Sequence, residues 1–385
     1  MSDTDYPEPD RVDGAPHPRE TQKLIGQAGA EAVFLDAVAA GRLHHGWLLT
    51  GPQGVGKATL AWRIARYLLT LPEDDAGAGG LFGDAPPQTA ADTLDVAPDQ
   101  PVARRILAGS EPRLFLLRRA WDDEKKRLKT VITIDEVRRL KSFFQLSAAD
   151  GGRRVAIVDA ADELNTNAAN ALLKILEEPP KGATLLLVSH QPARLLPTIR
   201  SRCRELRLAS LGAEDLAPAL AAAGVDSGAG PALAILAGGS VGGAIRLANL
   251  DGLDTYAAII NLFGRQGGVD RPSAHRLAES VAGRAAEQRL DLLLTLLDIF
   301  LSRLARAGVA GPDEAEAAPG EATLLARLSP GAVAGRHWAA LHQSLGARAR
   351  QGLAVNLDPA ALLLDMILKI DEAAATLAAR PESRS

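Results

Sequence analysis

The chain has 385 residues, 47% of them hydrophobic and 23% charged, with a formal net charge of −4 and a single cysteine. That length accommodates two or three domains with substantial cores. The mild acidity excludes a global basic footprint for nucleic acid, and the lone Cys203 excludes an intrachain disulfide and any Cys-rich zinc site, as suits a reducing cytoplasm.

Residues 1–20 are acidic and proline-rich, with no apolar stretch behind a basic start, and read as a disordered segment rather than a signal peptide. Trp47-Leu48-Leu49-Thr50 is a short apolar strand, and Gly51-Pro52-Gln53-Gly54-Val55-Gly56-Lys57 follows it. Leu60, Ile64 and Leu68 then recur at helical spacing. Strand, glycine loop and helix in this order form a phosphate cradle, with the anion expected at the helix N-terminus. The pattern needs a hydroxyl directly after the lysine to hold Mg²⁺, and Ala58 stands there, with Thr59 next along. Residues 72–101, rich in Asp, Gly, Ala and Pro, read as a mobile surface insertion.

Leu114–Leu117 and Val131–Ile134 are strand candidates, and Asp135-Glu136 open a helix carrying Val137, Leu140 and Phe144 on one face. Arg154–Asp159 is a buried strand ending in a carboxylate. A helix follows over Thr166–Glu177, capped by Asn165 or Thr166 and stopped by Pro179-Pro180. Thr184–Val188 and Arg204–Leu208 complete the alternation, which means a parallel α/β sheet with helices on both faces. Beyond residue 209 the strands stop: 209–252 read as small helices and 253–380 as a helical bundle. The apolar run Leu290–Leu304 is interrupted by Asp291, Asp298 and Arg303 and reads as a buried helix, not a membrane span.

In a parallel α/β nucleotide site the carboxylate of Asp159 orients Mg²⁺. Active ATPases of this class usually add a glutamate directly after it, whereas Ala160 and Ala161 follow here, with Asp162 and Glu163 displaced. Gly51, Gly54, Gly56, Lys57, Thr59 and Asp159 therefore outline a degenerate nucleotide site with no metal ligand set. The basic stretch Pro197–Arg204 has two readings: a solvated loop, or a guanidinium offered to a neighbour's phosphates.

Ser201-Arg202-Cys203, the run from Asp159 to Pro180, Leu24-Ile25-Gly26-Gln27 and His44-His45-Gly46-Trp47 stand in one order across residues 23–208. In these stretches the chain resembles the bacterial clamp-loader subunits, an AAA+ family, and most of all its δ′-type members. The resemblance implies an AAA+ P-loop domain over 21–208, a small helical lid over 209–252 and an all-α collar over 253–380. Asn356-Leu357-Asp358-Pro359 before Leu362-Leu363-Leu364 is similar to the start of the final collar helix. It also implies that Arg202 acts in trans as an arginine finger, with Ser201 and Cys203 as its motif context. The implied partners are γ/τ and δ subunits of the DNA polymerase III assembly, the sliding clamp and primer–template DNA.

Two departures bear on chemistry. Gly239-Ser240-Val241 is followed by Gly242 where such proteins carry a phosphate-sensing arginine, with Arg246 one turn on. Residues 72–112 lack the cysteines of the family's zinc module. The expectation is thus a non-catalytic subunit that requires no cofactor, holds ATP or ADP weakly at most, and binds no zinc. The alternative is an active ATPase in which Thr59 replaces the missing hydroxyl. The basic residues between 104 and 154 either line a DNA path or form a solvated surface.

Overall fold

Five short strands hydrogen-bond into one all-parallel sheet in the computed structural model, which describes residues 7–71, 91–146, 152–225, 229–282, 286–312 and 315–379. The chain divides into two compact units, Met1–Gly224 with Gly239–Gly243, and Val225–Gly238 with Ala244–Ser385.

In the first unit, α1 (Ala28–Ala39) leads to β1 (Gly46–Thr50), α2 (Lys57–Thr70) and α3 (Pro101–Leu107). Next come β2 (Leu114–Arg118), a two-stranded ribbon of β3 (Trp121–Asp122) and β4 (Arg127–Leu128), α4 (Ile134–Leu146) and β5 (Arg154–Asp159). The unit continues with α5 (Thr166–Glu177), β6 (Ala183–Val188), α6 (Pro197–Arg200), β7 (Arg204–Arg207) and α7 (Ala213–Ala222). The strand order is β2-β5-β6-β1-β7. β1, β5 and β6 are buried along their whole length, which is why they read as continuous apolar runs rather than alternating ones. Leu48, Ala156, Val158, Leu185 and Leu187 pack with Val137, Leu140 and Phe144 of α4 and Leu172, Ile175 and Leu176 of α5. Neighbouring strand residues face the other way, where Phe34 of α1 meets Trp47 at 5.0 Å between ring centroids.

Three local readings change. Val131–Ile134 forms no strand beyond an isolated bridge between Ile132 and Leu164, because α4 starts at Ile134. The Thr133 backbone N–H donates to the Glu136 carboxylate at 2.8 Å and the Thr133 hydroxyl bonds the same group, so Thr133 and Glu136 start the helix as a capping pair. Of the expected disordered segment 1–20, residues 1–6 lie outside the described residues, while 7–20 are packed: His17 is fully buried, and Glu8, Asp10, His17 and Arg19 are paired with one another and with Arg118. Of the expected insertion, 72–90 lie outside the described residues, while Leu94 is buried and Asp95 binds Arg63 at 3.0 Å. The expected cap of α5 is there, Asn165 accepting from the Ala168 N–H at 2.9 Å.

The second unit is helical. α8 (Gly230–Ala237) precedes α9 (Val241–Asn249), whose first residues belong to the first unit. α10 (Gly252–Gly264), α11 (Arg271–Glu279), α12 (Ala286–Ala310), α13 (Glu321–Leu328), α14 (Ala332–Ala354) and α15 (Pro359–Ala378) follow. α12 and α14 cross at Gly308 and Gly335, where a Cβ on Gly308 would lie 2.6 Å from the Gly335 Cα. Leu293, Leu297, Phe300, Trp338, Leu363 and Ile367 fill the interior. Buried Glu321 accepts from Arg303 Nε (2.5 Å), the Tyr256 hydroxyl (2.5 Å) and the Ala317 N–H (2.7 Å). Among the described residues no single helix is long and apolar enough to cross a membrane.

Candidate nucleotide site and a surface arginine

The phosphate loop leaves β1 at Thr50 and enters α2 at Lys57. Gly51, Gly54 and Gly56 have φ of 140°, 77° and 100°, a backbone that side chains rarely adopt. At Gly51 a Cβ would also lie 2.4 Å from the Leu208 carbonyl oxygen. Lys57 turns its Nζ onto this loop, donating to the Gly51 carbonyl at 2.7 Å and to the Pro52 carbonyl. Burial pulls its pKa down to about 8, against the opposing charges of Asp159 and Asp162. Ala58 presents a methyl group at the metal-hydroxyl position. Thr59, the next residue of α2, points about 100° away around the helix.

Asp159 ends β5, with β6 between it and β1. Burial pushes its carboxyl up to about 7, helped by the charges of Asp10 and Glu163, while Lys57 pulls the other way. The displaced acids have structural partners: Asp162 accepts from the His190 N–H at 2.9 Å, and Glu163 pairs with Arg119 at 2.8 Å. Ser189 and His190, missed in the sequence, follow β6 directly and so sit between the loop strand and the Asp159 strand. Ser189 is fully buried and its hydroxyl has no hydrogen-bond partner among the described residues. Burial, then the Lys57 charge, lowers the His190 pKa to about 4, so its ring is neutral at pH 7. The signal that could have found them is their place at the end of the central strand of an apolar set.

Gly239–Gly243 lies against the same loop. The Gly242 N–H donates to the Gly54 carbonyl at 2.9 Å, and Ser240 Oγ donates to the Gln53 carbonyl at 2.8 Å. A Cβ on Gly54 would sit 3.0 Å from the Gly242 Cα, so glycine meets glycine where a sensing arginine would stand. Arg246 instead pairs with Asp291 at 3.7 Å.

Arg202 is elsewhere. It follows α6, and its Nη1 donates to the Thr198 carbonyl at 3.1 Å while Nη2 lies 3.0 Å from Glu177 Oε1 at the end of α5. Its carbonyl oxygen is 3.3 Å from where a Gly46 Cβ would be, at the first residue of β1. The phosphate loop begins past the last residue of that strand, about 13 Å away at roughly 3.3 Å per residue. Ser201 Oγ donates to the Thr198 carbonyl at 3.1 Å, fastening the same turn. Burial pushes the Cys203 thiol up to about 12, so it packs against Gly46 as a neutral group. The structure thus gathers Gly51, Gly54, Gly56, Lys57 and Asp159 at the C-terminal ends of the strands, and Ser201, Arg202 and Cys203 at the opposite, N-terminal ends.

A family model described as "DNA polymerase III, delta subunit" matches residues 26–212, a stretch that holds both of these groups. The α/β part of this chain is similar to that family. The δ′ subunit of DNA polymerase III from Pseudomonas aeruginosa is 40% identical to this chain over 159 residues, 41% of each chain. The γ/τ subunit from Mycobacterium tuberculosis is 30% identical over 185 residues, 48% of this chain and 28% of its own. The chain spans less than half the length of these curated relatives. A γ-subunit-related protein of Thermotoga maritima aligns over 89% of this chain and 99% of its own, at 16% identity and a TM-score of 0.40.

Proposed function

We propose that this chain is a δ′-type clamp-loader subunit that leaves ATP hydrolysis to its neighbours and lends them Arg202. The observation that carries this reading is the placement of Arg202 against Gly46, at the far end of β1 from its own phosphate loop. An arginine side chain cannot cover about 13 Å along a buried strand, so its guanidinium does not serve its own phosphate loop, and a partly exposed guanidinium at that end can be offered to another molecule. Its planar fork suits phosphate oxygens bidentately, and such a group supplied in trans accelerates phosphoryl transfer by roughly 10³–10⁵. Arg202 and Glu177 are 38% and 41% exposed, so their pairing is screened and costs little to exchange for phosphate, under about 1 kcal/mol.

The chain's own loop does not fit a magnesium–triphosphate. Ala58 offers no metal oxygen, Lys57 is engaged by loop carbonyls, and Asp162 and Glu163 are tied to His190 and Arg119. The orientation of Thr59 speaks against its replacing the missing hydroxyl. On this reading γ/τ and δ subunits surround the chain in the cytoplasm, the helical second unit takes part in holding the ring, and sliding clamp and primer–template DNA are met by the complex.

The test is Arg202→Ala in a complex reconstituted with γ/τ and δ. The variant should assemble normally while DNA-stimulated ATPase falls by about 10² or more. Unchanged ATPase would remove Arg202 from the mechanism.

A further inference from the structure

Residues 7–25 precede the stretch that matches the family model, yet they are fastened along the nucleotide edge of the first unit. The Arg19 carbonyl accepts from Arg66 Nη2 of α2 at 2.7 Å, and the Gln22 carbonyl accepts from Arg63. His17 stands edge-on to Trp62, ring centroids 5.7 Å apart. Its Nε2 lies 3.1 Å from one oxygen of Asp10, whose side chain is wholly buried, and the other oxygen takes Arg118 Nη1 at 2.5 Å. Arg118 is the register partner of Asp159 across β2 and β5. Two residues on, Val12 Cγ2 would be 3.6 Å from a Cβ on Gly242, which itself bonds Gly54 of the phosphate loop. Residues 10–12 therefore run from the Asp159 end of β5 to the loop.

We propose that residues 8–20 are the resident occupant of this site, with Asp10 and Val12 filling the ground between Asp159 and the phosphate loop that a nucleotide's phosphates would need. An incoming triphosphate would meet the carboxylates of Asp10 and Asp159 together, or would have to strip Asp10 from Arg118 and His17. Burial works against the Asp10 charge, but the close approach of His17 and the charge of Arg118 override it and hold its pKa below the usual carboxylate range. Asp10 is thus an anion held in place beside a phosphate cradle. The proposal does not depend on where Arg202 acts.

The full-length chain tests it through ATP titration and limited trypsin digestion, which reads whether the bond after Arg19 is accessible. Asp10→Ala with His17→Ala should release the segment and speed that cleavage. Ala58→Ser alone should leave ATP binding weak, because the segment stays in place. Combined with the release variant it should tighten binding at least about tenfold, as expected when a site closed ~90% of the time is opened. Tight ATP binding by Ala58→Ser with Arg19 still protected would overturn the proposal. So would a released segment with unaltered affinity in the triple variant, or cleavage at Arg19 no faster in the release variant than in wild type.

Discussion

Glu177, the last residue of α5, holds the guanidinium of Arg202 at 3.0 Å, while the Thr198 carbonyl takes its other arm. The two contacts orient an exposed arginine without burying it. Glu177→Ala should therefore change the urea midpoint by less than the equivalent of about 1 kcal/mol. In the reconstituted complex it should keep most of the ATPase that Arg202→Ala loses. If Glu177→Ala is as damaging as Arg202→Ala, the carboxylate is doing more than orienting its neighbour.

Gly46 faces this motif from the start of β1. A Cβ there would come to 3.0 Å from Leu176 Cδ2 and 3.3 Å from both the Arg202 carbonyl oxygen and Cys203 Sγ. Gly46→Ala should destabilise the first unit by about 1–3 kcal/mol through overpacking. Because the displaced atoms include the backbone of Arg202, complex ATPase should fall as well, although no side chain of the motif has changed.

The buried pair in the second unit predicts a larger effect. Arg303→Met leaves the Glu321 carboxylate enclosed with only the Tyr256 hydroxyl and the Ala317 N–H as partners. A loss of about 3–5 kcal/mol is expected, read in the urea transition of the helical unit. Adding Glu321→Leu should recover part of it, since the stranded charge, not the missing bond, carries most of the cost. A double variant no more stable than Arg303→Met would contradict that account.

Asp159 gives a pH signature. Its carboxyl sits at about 7 in the folded chain, against an ordinary value of 3.8. A raised folded pKa means that the folded state binds the extra proton. Its contribution is fully present below about 4 and is lost as pH rises through about 7. Asp159→Asn should be more stable than wild type at pH 8, by on the order of 1 kcal/mol or more, and nearly equal to it at pH 4. Urea midpoints across that range check the slope, and a pH-independent difference would contradict it.

The sheet was legible because β1, β5 and β6 are buried on both faces and carry uninterrupted apolar runs. The loop was legible because its positive-φ positions are filled by glycine. Thr133 was misread for a simple reason: Val131-Ile132-Thr133-Ile134 is a β-rich string, while the Glu136 that converts its end into a helix start lies three residues on. Residues 7–20 were misread because composition counts charges and cannot see that Asp10 is buried between His17 and Arg118. The distance between Arg202 and the phosphate loop was hidden as well, since it depends on β7 pairing beside β1.

β1 acts as a ruler. Five buried residues, held on one side by β6 and on the other by β7, separate a phosphate cradle from an outward-facing arginine by a length that the strand's rise alone determines. The two ends can vary independently: Ala58 and Gly242 border the cradle, and neither is among the contacts of Gly46. On the function proposed above, such a strand would set the reach and angle of Arg202 whatever the cradle at its other end holds.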